Sequence, residues 1–233
     1  MSPKDIIKYA VMEGRNKLLE HEAFELAKYY GIPTPDAILV RTPDEAHKLA
    51  DSIGYPLALK VVSPDISHKS DVGGVKLGLM NKDDTKRAVE EILTVVPSKV
   101  PNARISGVLM YKMAPAGLEV IVGGIRDHVF GPAIMFGLGG IFVELLKDVS
   151  FRISPVTFEE ALEMIEEIKT AKILNGYRGL PPADKKAIAD IISKTSKMLV
   201  ELEEIESVDL NPIIVYQQGA IAVDVRVILG KVL

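Results

Sequence analysis

From residue 106 to residue 136 the sequence places three apolar runs of strand length in succession with no helical pattern between them. They are Ser106 to Met113, Leu118 to Ile125 and Ala133 to Phe136, and Ala114-Pro115-Ala116-Gly117 joins the first two. A Gly-rich turn and an apolar stretch around Phe142 to Leu146 follow, then a further strand from Ser150 to Ile153. Parallel strands need a crossover of about a dozen residues or more, usually a helix, whereas antiparallel strands can be joined by a short turn. Strict β-α alternation therefore fails, and the chain is expected to be α+β, with mostly antiparallel sheets and packed helices.

The remaining pattern agrees. Residues 17 to 30 read as a helix stopped by Gly31, with Pro33 and Pro35 preventing its resumption. Ala37 to Val40 reads as a strand. A helix follows to about Ser52, opened by Thr42-Pro43-Asp44-Glu45, in which Glu45 is placed to cap back. Tyr55 to Val62 and Gly74 to Met80 read as strands around a polar loop, Asn81 to Val96 as a helix, and Pro97 and Pro101 as the flanks of a turn. Thr157 to about Lys169 carries a capping box, and Pro182 to about Glu203 reads as the longest helix. The end is a hairpin, Ser207 to Tyr216 and Ala220 to Leu229, turning at Gln217-Gln218-Gly219. Two lobes are expected, 1–105 with an N-terminal helix and 106–233.

Composition excludes several functions. Twenty-eight Lys and Arg against 32 Asp and Glu give a net charge of −4, opposite to the basic excess of nucleic-acid binders. Trp is absent and aromatics make up 6%, which argues against a stacking platform for single strands. Zero Cys removes disulfides, thiolate metal sites and a thiol nucleophile, and fits a cytoplasmic protein. The uncharged stretch from Pro132 to Val143 is broken by glycines and too short to span a bilayer, and Met1-Ser2-Pro3-Lys4-Asp5 does not open a signal peptide.

Several polar residues sit where strands are apolar. Lys60 lies within Ala58-Leu59-Lys60-Val61-Val62. It reads either as a phosphate contact or as an edge-strand lysine facing water, and taken alone the second reading is preferred. The loop from Ser63 to Gly74 holds His68, whose imidazole can act as base or nucleophile near neutral pH; alone it reads as a surface residue. Glu119 interrupts an apolar strand, and Glu144 follows Gly137-Leu138-Gly139-Gly140; both read equally well as solvated. Asp127 and His128 read as turn chemistry. On the closing hairpin Ser207, Asp209 and Asn211 are expected to share a face, as are Ala222, Asp224 and Arg226. Such oxygen ligands suit Mg²⁺ shared with substrate phosphates, and equally suit a half-exposed hairpin facing water.

Taken together these residues resemble the ATP-grasp fold, and within it the small β subunit of ADP-forming acetyl-CoA synthetase, the NDP-forming acyl-CoA synthetase family. Three motifs carry the resemblance: Ser67-His68-Lys69-Ser70-Asp71-Val72-Gly73-Gly74-Val75, Phe136-Gly137-Leu138-Gly139-Gly140-Ile141-Phe142-Val143-Glu144, and Val208-Asp209-Leu210-Asn211-Pro212. The third is shared with succinyl-CoA synthetase, whose β subunit lacks an equivalent of His68 and has Glu in place of Asp209. The resemblance implies that Lys60 holds nucleotide phosphates and that the strand from Leu109 to Met113 faces adenine through Tyr111 and Met113. It places Glu119 near the ribose or phosphates and has Asn211 and Asp224 ligate Mg²⁺. His68 becomes a phosphoryl carrier for ADP/ATP, and Asp209 orients an incoming histidine of the partner. That partner would be a larger CoA-binding α subunit with its own phosphohistidine, in an α2β2-type hetero-oligomer, with no nucleic acid or membrane involved. Two other readings remain: an ATP-grasp carboxylate ligase that needs no histidine relay, and a non-catalytic nucleotide-binding subunit.

Overall fold

The computed structural model describes residues 1–140, 147–177, 179 and 181–230. The described chain packs as two compact units. One comprises Leu19–Glu22 and Pro35–Ala114; the other comprises Met1–Leu18, Ala23–Thr34 and Pro115–Leu233. The sequence-based division at 105/106 thus differs from the packing in two respects. Residues 106–114 stay with the strands they pair with, and most of the first 34 residues pack with the C-terminal segment.

The smaller unit is a four-stranded sheet ordered β1-β4-β2-β3, with β1 Ala37–Val40, β2 Leu57–Val62, β3 Val75–Leu79 and β4 Gly107–Lys112. Its helices are α3 (Pro43–Ile53) and α4 (Lys82–Lys99). Leu57, Leu59 and Val61 of β2 and Val108 and Met110 of β4 join Ala46, Ala50, Val89, Ile92 and Val96 of the helices in one core. Because strand side chains alternate, Ala58, Lys60, Leu109 and Tyr111 point to the opposite face. Thr42 caps α3 through the Glu45 N–H, but the Glu45 carboxylate reaches back to the Arg41 N–H at 2.6 Å rather than closing a box on Thr42.

Pro97 does not end α4 at Val96. The helix runs through it to Lys99, and this makes α4, not the later helix, the longer one at 18 residues against 17. In the last turn Pro97 removes only its own donor, and the Val100 N–H still reaches the Val96 carbonyl at 2.9 Å.

The larger unit is a sheet ordered β10-β8-β5-β6-β7, with the short β9 also paired to β8. Its strands are β5 Leu118–Asp127, β6 Gly131–Leu138, β7 Val149–Ile153, β8 Ile205–Val215, β9 Ala220–Ala222 and β10 Val225–Leu229. Its helices include α1 (Pro3–Met12), most of α2 (Glu20–Tyr29), α5 (Phe158–Glu167) and α6 (Lys185–Glu201). Every strand pairing among the described residues is antiparallel.

Ser2 and Thr157 open α1 and α5 with capping boxes, and Asp184 caps α6. Helix α6 lies against one face of this sheet. A Cβ on Gly124 would come within 3.1 Å of Leu199 and 3.0 Å of Ile134 and Val208, so a larger residue here would make these side chains give way for the helix to keep its approach. Arg126 beside it donates to the carbonyls of Leu199, Leu202 and Ile205 at 2.5, 3.2 and 3.2 Å and so satisfies the end of the helix. Residues 16–18 run beside β10: the Leu18 N–H donates to Val227 at 3.0 Å, and the Leu229 N–H donates to Asn16 at 2.8 Å.

Candidate functional site

The polar loop between β2 and β3 is pinned at both ends. At its foot the Arg104 guanidinium clamps the Asp65 carboxylate through two side-chain bonds of 2.9 and 3.0 Å, and the Arg104 backbone N–H adds a third at 2.7 Å. At its far end the Gly73 N–H donates to Ser70 at 3.1 Å and the Gly74 N–H to Lys69 at 2.7 Å, while the Gly74 carbonyl takes the Val61 N–H at 2.7 Å. A Cβ on Gly74 would meet Val61 Cγ1 at 2.4 Å and the Lys69 carbonyl at 3.1 Å, so this contact requires glycine. Gly73 has φ +78°, a second requirement for glycine. His68 sits exposed on the turn so formed. Its neighbour Lys69 turns inward and ion-pairs with Glu20, with both side chains largely buried. The sequence reading missed this tether, since nothing in local spacing joins residue 20 to residue 69.

Lys60 is half-buried on β2, between β4 and β3, which excludes the edge-strand alternative. Its Nζ lies 5.9 Å from the centroid of the Tyr111 ring, a cation–π arrangement on the face away from the helices. Tyr111 pairs with Ala58 on one side and Ala37 on the other, so its backbone is engaged within the sheet. Just past β4 the Met113 N–H donates to the Pro56 carbonyl at 2.8 Å. Pro56 has no N–H to return a bond, so the Met113 carbonyl receives none from it. Lys60, His68, Tyr111 and Met113 thus all belong to the smaller unit.

Glu119, Asp209, Asn211 and Asp224 belong to the larger unit. Glu119 is exposed near the start of β5 and carries the Gly-rich turn: the Gly139 N–H donates to its carbonyl at 2.8 Å. A Cβ on Gly139 would lie 2.9 Å from that of Glu119. Glu144 lies outside the described residues. Asp127 does turn chemistry as expected, accepting the N–H groups of Val129 and Phe130 at 2.8 and 2.9 Å.

The closing hairpin departs from simple alternation. Ile213 pairs with Val120 and Leu210 with Val122, so Asn211 and Pro212 together oppose Ile121, a β-bulge at the candidate metal ligand. Towards the other neighbour the register holds. Leu210 pairs with Val225 and Ile213 with Ala222, which sets Asp224 opposite Asn211, and the Asn211 N–H donates to the Asp224 carbonyl at 3.2 Å. Asp209 pairs with Arg226. Asp209 keeps exposed surface as a residue, but burial of its carboxyl raises its pKa above the ordinary value; the Asp224 carboxylate adds to the rise and Arg226 opposes it.

An amide and a carboxylate on two residues that stand opposite each other offer oxygen ligands of the kind a hard cation such as Mg²⁺ takes. Among the described residues no three His, Asp or Glu side chains gather around one point, so this pair would leave the rest of the coordination shell to phosphate and water. A hollow of about 710 Å³ elsewhere in the larger unit, lined by Gly117, Leu118, Ile173, Pro182, Tyr216 and Gln217 among others, includes none of the predicted site residues.

Residues 9–229 match the family profile described as an ATP-grasp domain. The β subunit of the ADP-forming acetate–CoA ligase I of Pyrococcus furiosus is 52% identical over 226 residues, 97% of this chain and 97% of the relative. The chain belongs to the ATP-grasp family of ADP-forming acetate–CoA ligase β subunits. In the ADP-forming acetate–CoA ligase I of Archaeoglobus fulgidus, 48% identical across 95% of this chain, the β-subunit sequence occupies 32% of a longer polypeptide. The solved dinucleotide-forming acetyl-coenzyme A synthetase 1 of Candidatus Korarchaeum cryptofilum superposes with a TM-score of 0.96 at 46% identity, covering 98% of this chain and 100% of that one. That structure is a complex with coenzyme A and Ca-AMPCP. A second structure of the same protein, TM-score 0.87 at 43% identity over 98% and 100% of the two chains, holds coenzyme A and Mg-AMPPCP, with a phosphohistidine segment pointing towards the nucleotide-binding site. No described helix of this chain is long and apolar enough to cross a membrane.

Proposed function

We propose that this chain is the nucleotide-handling subunit of an ADP-forming acyl-CoA synthetase and passes a phosphoryl group through His68. The overall reaction is acyl-CoA + ADP + phosphate to carboxylic acid + ATP + CoA. The acyl phosphate forms on a larger CoA-binding partner, whose histidine carries the phosphoryl group to this chain. A ring nitrogen of His68 takes it. A terminal oxygen of ADP then attacks phosphorus, the P–O bond forms as the N–P bond breaks, and the imidazole is returned. The observation that supports this reading best is the exposed His68 on a turn held at both ends, a mounting that suits positional catalysis.

The other residues take supporting roles. Lys60 neutralises phosphate charge, with its ammonium steadied over Tyr111. The Met113 carbonyl offers an acceptor to the adenine amino group, and Glu119 lies near the ribose or phosphates. Asn211 and Asp224 would hold Mg²⁺, which supplies charge neutralisation on the phosphates when bound. Asp209 orients the partner's histidine by accepting a hydrogen bond from its ring. The chain works in the cytoplasm within an α2β2-type assembly.

The test is direct. The isolated chain with Mg-ATP gains an acid-labile phosphate, and His68→Ala does not while still binding Mg-ADP. Labelling that persists in His68→Ala removes the relay and leaves a carboxylate ligase without a histidine carrier. Nucleotide binding with no labelling in either protein leaves a non-catalytic subunit.

A further inference from the structure

In the loop between β2 and β3 only Ser67 separates His68 from Ile66, and Lys69 follows directly. Ile66 is 5% exposed and packs into the core of the smaller unit with Leu59, Val61 and Ile92. Lys69 is held by its ion pair with Glu20, and its carbonyl accepts the Gly74 N–H at 2.7 Å. His68 thus lies between two fixed points. The point before it is gripped from both sides of the main chain. Ile66 goes into the core, while Asp65, the residue before, reaches Arg104, 39 positions along the chain. Arg104 Nη2 donates to Asp65 Oδ1 at 2.9 Å, and its Nε and backbone N–H donate to Oδ2 at 3.0 and 2.7 Å. The Asp65 N–H in turn donates to the Ser63 hydroxyl at 3.1 Å. The base of this clamp is itself held: the Ala103 N–H donates to the Val100 carbonyl at 3.1 Å and the Ser106 N–H to the Val62 carbonyl at 2.9 Å.

We infer that Arg104 is a positioning residue for the phosphoryl step. Through Asp65 it fixes where the segment carrying His68 begins, and so the reach of the imidazole, without touching nucleotide or phosphoryl group. The inference rests on the proposed role of His68 and adds the residue that aims it. Two arguments separate positioning from general stability. The Arg104 and Asp65 side chains are 64 and 32% exposed, and an ion pair so open to water adds little to the stability of a fold. A guanidinium fork on both oxygens of one carboxylate, however, fixes direction as well as distance, which a lysine ammonium does not. Direction is what the reaction needs, because a displacement of about 1 Å in a reacting group can cost about 10²-fold in rate. Loss of the clamp leaves Ile66 and Lys69 attached, so the turn persists, but its leading side gains freedom. The cost then falls on transfer and not on nucleotide binding, since Lys60 and Tyr111 sit within paired strands that the clamp does not support.

The test compares Arg104→Gln, Arg104→Lys and Asp65→Asn with wild type in the full chain. Rapid-quench labelling of His68 by saturating Mg-ATP gives the transfer rate, calorimetry the Mg-ADP affinity, and urea unfolding the stability. Arg104→Gln and Asp65→Asn are expected to slow labelling at least about tenfold, with Mg-ADP affinity and the urea midpoint unchanged. Arg104→Lys keeps the charge and gives up the fork, so it falls between them and wild type. The double variant Asp65→Asn/Arg104→Gln is no slower than the slower single variant, because both act through one contact. Labelling of Arg104→Gln at the wild-type rate overturns the inference and leaves the relay standing. So does a slowing matched by lost Mg-ADP affinity, which would place Arg104 in nucleotide binding, or a shifted urea midpoint with normal labelling of the folded chain, which would make the clamp structural. Full activity of Arg104→Lys overturns it as well, because charge and not direction would then suffice. Absence of labelling in the wild-type chain removes the functional reading, and this inference with it.

Discussion

Asn211 stands opposite Asp224 on the closing hairpin, and the bond that joins them, Asn211 N–H to Asp224 carbonyl at 3.2 Å, is made by the backbone. The two side chains can therefore change without breaking the link between the strands. Asp224→Asn keeps size and pairing and removes one negative charge. Calorimetry should show Mg-ADP affinity lowered about tenfold or more, ~1.4 kcal/mol, with metal-free ADP binding no weaker. Equal loss with and without Mg²⁺ would mean that Asp224 contacts the nucleotide rather than the metal.

The His68 turn depends on a glycine contact. In Gly74→Ala the new methyl would stand 2.4 Å from Val61 Cγ1, a core atom of β2, so the turn or the strand must shift. Overpacking of this kind costs about 1–3 kcal/mol. The shift also moves the segment carrying His68, so phosphate labelling should slow while Mg-ADP affinity holds. Rapid-quench labelling beside an unfolding curve separates the two effects. Normal labelling in a destabilised variant would show that the turn tolerates movement.

Lys69 and Glu20 are both largely buried, and removing either charge breaks their ion pair at a site poorly reached by water. Glu20→Gln or Lys69→Met alone should each cost ~3 kcal/mol, and the pair together less than the sum. Urea unfolding of the two single variants and the double variant measures the coupling. Strict additivity would show that the pair does not hold the turn.

Much of this was legible in the sequence, and the limits are physical. Caps are local chemistry, so Thr42, Asn81, Thr157 and Asp184 start helices where such residues start them. The turn of the closing hairpin and its first strand were legible, but the returning strand, expected as one run from Ala220 to Leu229, is broken at 223–224 into β9 and β10. Strand order is not written in alternation: Lys60 looked like an edge lysine because nothing local says that β3 closes beyond β2. The bulge at Asn211 escaped notice because it is a mismatch with β5, a strand about ninety residues earlier. The packing of α1 with the C-terminal segment escaped for the same reason.

Asp184 gives the pH-dependent prediction. One carboxylate oxygen accepts the Ala187 N–H at 3.0 Å and starts α6; the other accepts the Gly219 N–H at 2.8 Å and holds the β8–β9 turn. The Gly219 bond, then the Ala187 bond, lowers its pKa below the ordinary 3.8, and burial only partly opposes them. The folded state therefore favours the charged form. Its contribution is complete above the unfolded value and is lost as pH falls through the lower folded value. Asp184→Ala should cost ~1–2 kcal/mol at neutral pH, and the gap to wild type should narrow as pH drops below 3.8. Asp184→Asn keeps one oxygen acceptor, so it should lose about half as much and show no titration in that window. Urea unfolding of the three proteins at neutral pH and near pH ~3 reads both effects. A gap between wild type and Asp184→Ala that stays constant with pH would mean that packing at the cap, not the charge, joins the helix to the turn.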